Sequence, residues 1–220
     1  MLDCLEYLTA NSTDAAIIWL HGLGADNNDF YEIVPLLELP TNARIRLVFP
    51  NAPIQAVSLN GGMPMHSWFD VFGFGDRYPE DSEGLDRVAT QISELIAREK
   101  SRGIATSRIL LAGFSQGGAA AVYTGLRYPE RLGGILVLSA YLPREKKLAE
   151  EAHSANRDTP IAIMHGSHDP VIPFRLAERA REVLENSAYS VEWYEYDMPH
   201  TLCPLQFADI GAWIWQRLEA

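Results

Sequence analysis

The stretch RILLAGFSQGGAAAV (residues 108–122) decides the fold. Its first half is a short apolar run typical of a buried strand, and its second half, rich in small residues, is typical of a helix. At the junction, Ser115 lies between Gly113 and Gly117. Small neighbours permit a sharp strand-to-helix turn, which would expose the Ser115 hydroxyl above a sheet, near the N-terminus of the next helix. The stretch therefore predicts a nucleophilic serine.

Strand-like and helix-like segments alternate along the rest of the chain. The pattern predicts strands at 2–8, 15–20, 44–50, 108–114, 134–140, 161–166 and 190–198. It predicts helices at 83–102, 116–127, 173–187 and 204–218, and an irregular stretch at 51–80. Such alternation indicates an α/β fold with a mostly parallel central sheet and helices on both faces. We expect one domain over residues 1–220, with 134–140 as a central strand.

Composition excludes several classes of function. The 220 residues carry a net charge of −11, which disfavours nucleic acid or an anionic membrane surface as partner. No run approaches the roughly 18 apolar residues of a membrane span, and the N-terminus has no secretory pattern. Cys4 and Cys203 could pair, but two free thiols in the cytoplasm are expected. The oligomeric state stays open, with a homodimer as one alternative.

A serine hydroxyl needs a base and a group that orients the base. For a serine on a strand-to-helix turn, the chain order is serine, then acid, then histidine. Asp169 in HGSHDPVIP (165–173) and His200 in DMPHTLCP (197–204) fit that order, because each follows a predicted strand. We therefore predict Ser115 as nucleophile, Asp169 as orienting acid and His200 as base.

Two alternatives to this assignment concern the same loops. Asp197 is the rival acid, since it lies three residues before His200. His165, His168 and Asp169 also supply ligand types that zinc or iron accepts. They fall at a strand-to-loop junction rather than on one helical face, so we expect no metal.

Acyl transfer also needs hydrogen-bond donors for the developing oxyanion. The backbone N–H of Gln116, directly after the serine, is the first expected donor. The loop HGLGAD (21–26) follows a predicted strand and has two glycines that allow an amide to point inward. Leu23 is the expected second donor, with an ordinary glycine-rich turn as the alternative.

The segment 54–75 is unusually apolar for a loop. It either covers the core or lines an acyl groove beside the serine. The predicted substrate-binding side chains are Leu59, Met63, Met65, Trp68 and Phe72. Trp68 and Phe69 have core packing as their alternative.

Five motifs together resemble the phospholipase/carboxylesterase family of α/β-hydrolases. They are WLHGLGAD (19–26), LNGGMPMHSWFD (59–70), GFSQGGAAA (113–121), HGSHDPVIP (165–173) and MPHTLCP (198–204). The resemblance implies an α/β-hydrolase domain without a separate cap domain and a serine hydrolase without a cofactor. It implies carboxylic esters of short to medium acyl chains as substrates, with thioesters of acylated proteins or lysophospholipids as alternatives.

The resemblance also implies roles for individual residues. Ser115, Asp169 and His200 match the family's triad, and Leu23 and Gln116 match its oxyanion donors. Two other functions remain open: a protein that binds an apolar ligand without turnover, and a serine peptidase on the same fold.

Overall fold

The computed structural model describes residues 2–75 and 77–219. Met1, Asp76 and Ala220, which the single-domain prediction also includes, lie outside the described residues. The strands are β1 (Cys4–Leu8), β2 (Ala15–Leu20), β3 (Ile45–Pro50), β4 (Ile54–Val57), β5 (Met63–His66), β6 (Ile109–Phe114), β7 (Gly134–Leu138), β8 (Ile161–Gly166) and β9 (Val191–Tyr196). The helices are α1 (Asn28–Tyr31), α2 (Ser82–Ser101), α3 (Gln116–Arg127), α4 (Leu148–Glu151), α5 (Phe174–Asn186) and α6 (Pro204–Leu218).

Among the described residues, seven strands form one sheet in the order β1-β3-β2-β6-β7-β8-β9. Only the edge strand β1 runs antiparallel to its neighbour, with Cys4 opposite Pro50. The other neighbours pair in parallel. The predicted α/β fold with a mostly parallel sheet is confirmed, and the strand predicted as central, β7, lies between β6 and β8.

Helices cover both faces of this sheet, because its inner strands are apolar on both sides. In β2, Ala15, Ile17 and Trp19 face a core that includes α6. Their neighbours Ala16, Ile18 and Leu20 face the opposite core, which includes α2 and α3. A third cluster packs α5 against β7 and β8. Burial on both faces explains the continuous apolar runs of these strands.

Helix α2 (Ser82–Ser101) begins and ends within one residue of the predicted 83–102. The Asp81 side chain accepts a hydrogen bond from the Gly84 amide at 2.9 Å, which caps the first turn. Gly103 follows the last turn with φ +92°, a backbone conformation that glycine adopts without strain.

The expectation of an irregular 51–80 stretch is wrong in part. Strands β4 and β5 form an antiparallel hairpin there, with Ile54 opposite His66 and Val57 opposite Met63. Each strand has four residues and β5 contains Pro64, so neither carries a clear strand pattern. A two-stranded ribbon has only edge strands, which is where proline is tolerated.

Both cysteines, Cys4 and Cys203, are free thiols, as predicted. No helix among the described residues is long and apolar enough to cross a membrane.

Candidate active site

Ser115 occupies a strained turn between β6 and α3. Its backbone has φ 55° and ψ −120°, outside the region that a side-chain-bearing residue prefers. Such a conformation costs about 1–3 kcal/mol and persists only where the surroundings impose it. The Ser115 amide donates to the Leu138 carbonyl at 2.8 Å, and its carbonyl accepts from Ala119 at 3.0 Å. The turn is thereby fixed between the adjacent strand β7 and its own helix.

The flanking glycines are required by contact distances. A Cβ on Gly113 would lie 2.3 Å from the carbonyl group of Gly117. A Cβ on Gly117 would lie 2.2 Å from the backbone oxygen of Leu20. Both contacts are with backbone, which cannot rotate away. The spacing of glycines around Ser115 therefore follows from how tightly α3 packs against β2 and β6.

His200 and Asp169 form a close pair on neighbouring loops. The loop after β8 carries Asp169, and the loop after β9 carries His200. His200 Nδ1 lies 2.6 Å from Asp169 Oδ2. The other carboxylate oxygen, Oδ1, accepts the backbone N–H groups of Val171 and Ile172, each at 2.8 Å. The two amides fix the buried carboxylate so that Oδ2 faces the imidazole.

The rival acid has a different partner. Asp197 Oδ1 lies 2.9 Å from His168 Nε2, and both side chains are well exposed. In the same region, His165 Nε2 lies 2.9 Å from the Ile172 carbonyl, and burial lowers the pKa of His165. The neutral ring donates to that carbonyl. His165 and His168 thus engage separate partners.

Ser115 and His200 line one cavity of about 750 Å³. The Phe114 ring, also in its wall, packs against the imidazole with ring centroids 4.7 Å apart. Leu23 and Gln116 line the same cavity. The structure therefore brings to one space four of the five residues assigned to chemistry, while Asp169 lies behind His200.

The two expected oxyanion donors occupy suitable backbone positions. Gln116 is the first residue of α3, so its N–H has no acceptor within the helix. Leu23 lies in the loop that follows β2, beside Gly24, whose φ is +77°. The amide of Gly24 donates to the His66 carbonyl at 2.9 Å, which ties this loop to the β4–β5 hairpin.

His21 supports the same loop, a role that the sequence analysis missed. Its Nε2 accepts the Ala52 amide at 3.0 Å, so the ring proton lies on Nδ1. Nδ1 then donates to the Gly22 carbonyl at 2.7 Å. Burial lowers the pKa of His21, which keeps the ring neutral and preserves both bonds. The signal available was its position directly before the glycine-rich loop.

The Gln116 side chain connects this support to the serine turn. Its Nε2 donates to the Phe69 carbonyl at 2.6 Å, and its Oε1 accepts the Trp68 amide at 3.0 Å. The Trp68 indole N–H in turn donates to the His21 carbonyl at 2.8 Å. One buried network therefore joins the segments that carry Gln116 and Leu23.

The predicted groove residues divide among four places. Leu59 lines the cavity and is 43% exposed. Trp68 is 2% exposed and belongs to the core. Met63 is 62% exposed on the outside of the hairpin, and Met65 is half-buried beside it. Phe72 lines a neighbouring cavity instead.

Most of the remaining apolar lining comes from outside the 54–75 segment that was predicted to line the groove. Among the described residues it includes Phe30, Ile33, Tyr141, Val171 and Phe207. Phe74, from the apolar 54–75 segment, also contributes. Trp68 is held away from the cavity because its indole N–H donates to the His21 carbonyl in the loop after β2.

A parallel sheet with an elbow serine after one central strand, and a carboxylate-histidine pair after two later strands, defines an α/β-hydrolase. Comparison with known proteins identifies the family within this class. The chain belongs to the phospholipase/carboxylesterase family, whose model matches residues 8–216. It is a serine hydrolase of the esterase or thioesterase type.

Three relatives place the chain within this family. It is 35% identical over 221 residues to acyl-protein thioesterase 1 of Mycosarcoma maydis, covering 94% of this chain and 92% of that protein. The crystal structure of Zea mays acyl-protein thioesterase 2 superimposes with a TM-score of 0.87 at 26% identity, covering 99% of this chain and 100% of that one. That of Arabidopsis thaliana SOBER1 gives 0.88 at 29% identity, covering 93% and 99%.

Proposed function

We propose that this protein hydrolyses acyl esters and thioesters through a covalent acyl-enzyme formed on Ser115. The observation that carries the proposal is the strained Ser115 turn in one cavity with His200, whose Nδ1 lies 2.6 Å from the buried Asp169 carboxylate. A serine hydroxyl that lines a cavity at a helix N-terminus and an oriented imidazole are the two requirements for activating a serine.

The reaction follows from these positions. His200 Nε2 takes the hydroxyl proton while Ser115 Oγ attacks the acyl carbon, and the carbonyl π electrons move to oxygen. The amides of Gln116 and Leu23 hold the oxyanion. The carbonyl re-forms, the bond to the alcohol or thiol breaks, and the leaving group takes the proton from His200.

Water completes the cycle by the same steps. His200 takes a proton from water as the hydroxide attacks the acyl carbon, and Ser115 leaves with the proton restored to its oxygen. Asp169 holds the ring proton on Nδ1, which leaves Nε2 free to act as the base, and it stabilises the imidazolium in both halves of the reaction.

The cavity favours acylated proteins over lysophospholipids as substrates. Among its described lining residues are the carboxylates of Asp29 and Glu32, with no lysine or arginine. Negative side chains repel a phosphate group, and Coulomb repulsion at short range costs about 1 kcal/mol or more. Relatives named acyl-protein thioesterase also support acylated proteins as the preferred substrates. We infer short to medium acyl chains.

Rates on matched oxygen and sulfur esters of one acyl group test the proposal. We expect both to be cleaved, and Ser115→Ala to lose at least about 10³-fold in kcat while it remains folded. Equal turnover by Ser115→Ala would overturn the proposal. Ligand binding by the wild type without turnover of any ester would favour a non-catalytic binding protein. The cytoplasmic location and a homodimer stay predictions.

A further inference from the structure

A second cavity of about 410 Å³ lies beside the catalytic one. Part of its lining is apolar and includes Phe69, Leu85, Leu142 and Leu176. Its rim is charged and includes Glu80, which accepts a hydrogen bond from the Arg144 amide at 2.9 Å. The apolar part of the lining can contact a hydrocarbon chain favourably.

Tyr141 separates the two cavities. Its side chain and that of Val71 contribute to the lining of both. The residue follows β7, the strand adjacent to the one that leads into Ser115. On the catalytic side, Phe74 packs edge-on against the Tyr141 ring with centroids 5.9 Å apart.

Tyr141 also lines the second cavity. Burial raises the pKa of the Tyr141 hydroxyl, and the nearby Glu80 carboxylate raises it further. Glu80 lies on the rim of the second cavity, so the hydroxyl is within electrostatic range of that rim. Tyr141 therefore lies at the boundary between the catalytic cavity and the second cavity.

We propose that Tyr141 is a specificity-determining residue, because its ring closes the catalytic cavity against the second cavity and so limits the acyl chain that the enzyme accepts. The inference rests on the proposed function, since it requires an acyl group in the catalytic cavity. A longer chain meets the ring. Without the ring, the chain reaches the apolar part of the second cavity's lining, where each buried methylene group favours binding.

The test measures kcat/KM for p-nitrophenyl esters from butanoate to tetradecanoate. We expect Tyr141→Ala to raise the ratio of dodecanoate to butanoate at least about tenfold, because one methylene in an apolar pocket already changes selectivity by that factor. Tyr141→Phe keeps the ring and should keep the wild-type ratio. Tyr141→Leu retains more of the buried side chain than alanine does and should shift the ratio in the same direction. It replaces Tyr141→Ala in the test if the alanine variant does not fold.

A second substitution identifies the space that the longer chain enters. Leu176 lines the second cavity and is not among the lining residues of the catalytic one. Leu176→Trp fills the second cavity, so the double variant Tyr141→Ala, Leu176→Trp should return to the wild-type ratio. Leu176→Trp alone should leave butanoate hydrolysis unchanged.

Two results would overturn the inference. One is a wild-type chain-length ratio in Tyr141→Ala, or in Tyr141→Leu where alanine does not fold. The other is a double variant that keeps the shifted ratio. Failure of the wild-type protein to hydrolyse any of these esters or their thioester counterparts would instead overturn the proposed function, and the inference with it.

Discussion

Asp169→Asn replaces one carboxylate oxygen by an amide nitrogen and leaves the side chain the same size. Oδ1 of Asp169 accepts two backbone amides, from Val171 and Ile172, at 2.8 Å each. An asparagine must keep its carbonyl oxygen there, so its NH₂ group faces His200 Nδ1. That nitrogen then has to accept, which places the ring proton on Nε2 and removes the base from Ser115.

The size of the expected loss follows from the cost of the opposite orientation of the side-chain amide in this variant. Turning the amide around would leave two buried N–H donors opposite an NH₂ group, at about 1–3 kcal/mol each. The productive tautomer is therefore disfavoured by about 2–6 kcal/mol, or about 30-fold to 10⁴-fold. Loss of the charge that stabilises the imidazolium adds to this. We expect kcat/KM to fall about 10³- to 10⁴-fold.

The assay is initial-rate hydrolysis of p-nitrophenyl butanoate, with circular dichroism to check folding. Asparagine retains both backbone hydrogen bonds, so the variant should stay folded. Asp197→Asn is the matched control, because Asp197 is an exposed acid three residues before His200 that pairs with His168 instead. It should retain activity within about twofold. An Asp169→Asn enzyme within tenfold of wild type, with a collapse in Asp197→Asn, would refute the reasoning.

Three further predictions concern stability. Gly117→Ala should lower the free energy of unfolding by about 1–3 kcal/mol and remove most of the activity, because its Cβ would lie 2.2 Å from the Leu20 backbone oxygen. Urea unfolding measures the loss of stability. Burial lowers the pKa of both His21 and His165, so the unfolded chain takes up their protons first as pH falls below about 6.5. As the pH decreases through this range, the free energy of unfolding should decrease by up to about 2.7 kcal/mol per pH unit, the value for two protons. In urea titrations at several pH values, His165→Gln should show a smaller change in this free energy per pH unit than the wild type. Equal slopes for the two proteins would contradict this. Glu99→Gln weakens a fully buried carboxylate's bonds to arginines and should lower the melting temperature while kcat/KM stays constant.

The sheet was predictable because its strands are buried on both faces. Strands β2, β7 and β8 appear in the sequence as uninterrupted apolar runs, and the helices between them carry a three-to-four residue period. The hairpin of β4 and β5 was not predictable, since four-residue strands with a proline give no comparable pattern. Local hydrophobic patterns in the sequence predict elements with large buried faces, but they do not predict short two-stranded ribbons.

The positions of Ser115, Asp169 and His200 could be inferred because each follows a recognisable strand. The cavity wall could not, because Tyr141 and Phe207 reach it from distant segments with no pattern of their own. Trp68 shows the converse error. Its apolar neighbourhood predicted a groove, but its indole bonds to the His21 carbonyl and the ring packs in the core.

Labelling with a fluorophosphonate probe tests the central claim most directly, because only an activated serine displaces the fluoride at a useful rate. Intact-mass spectrometry followed by peptide mapping should find one probe per chain, on Ser115, and none on Ser115→Ala. A probe attached elsewhere, or an unlabelled protein that still hydrolyses esters, would contradict the account.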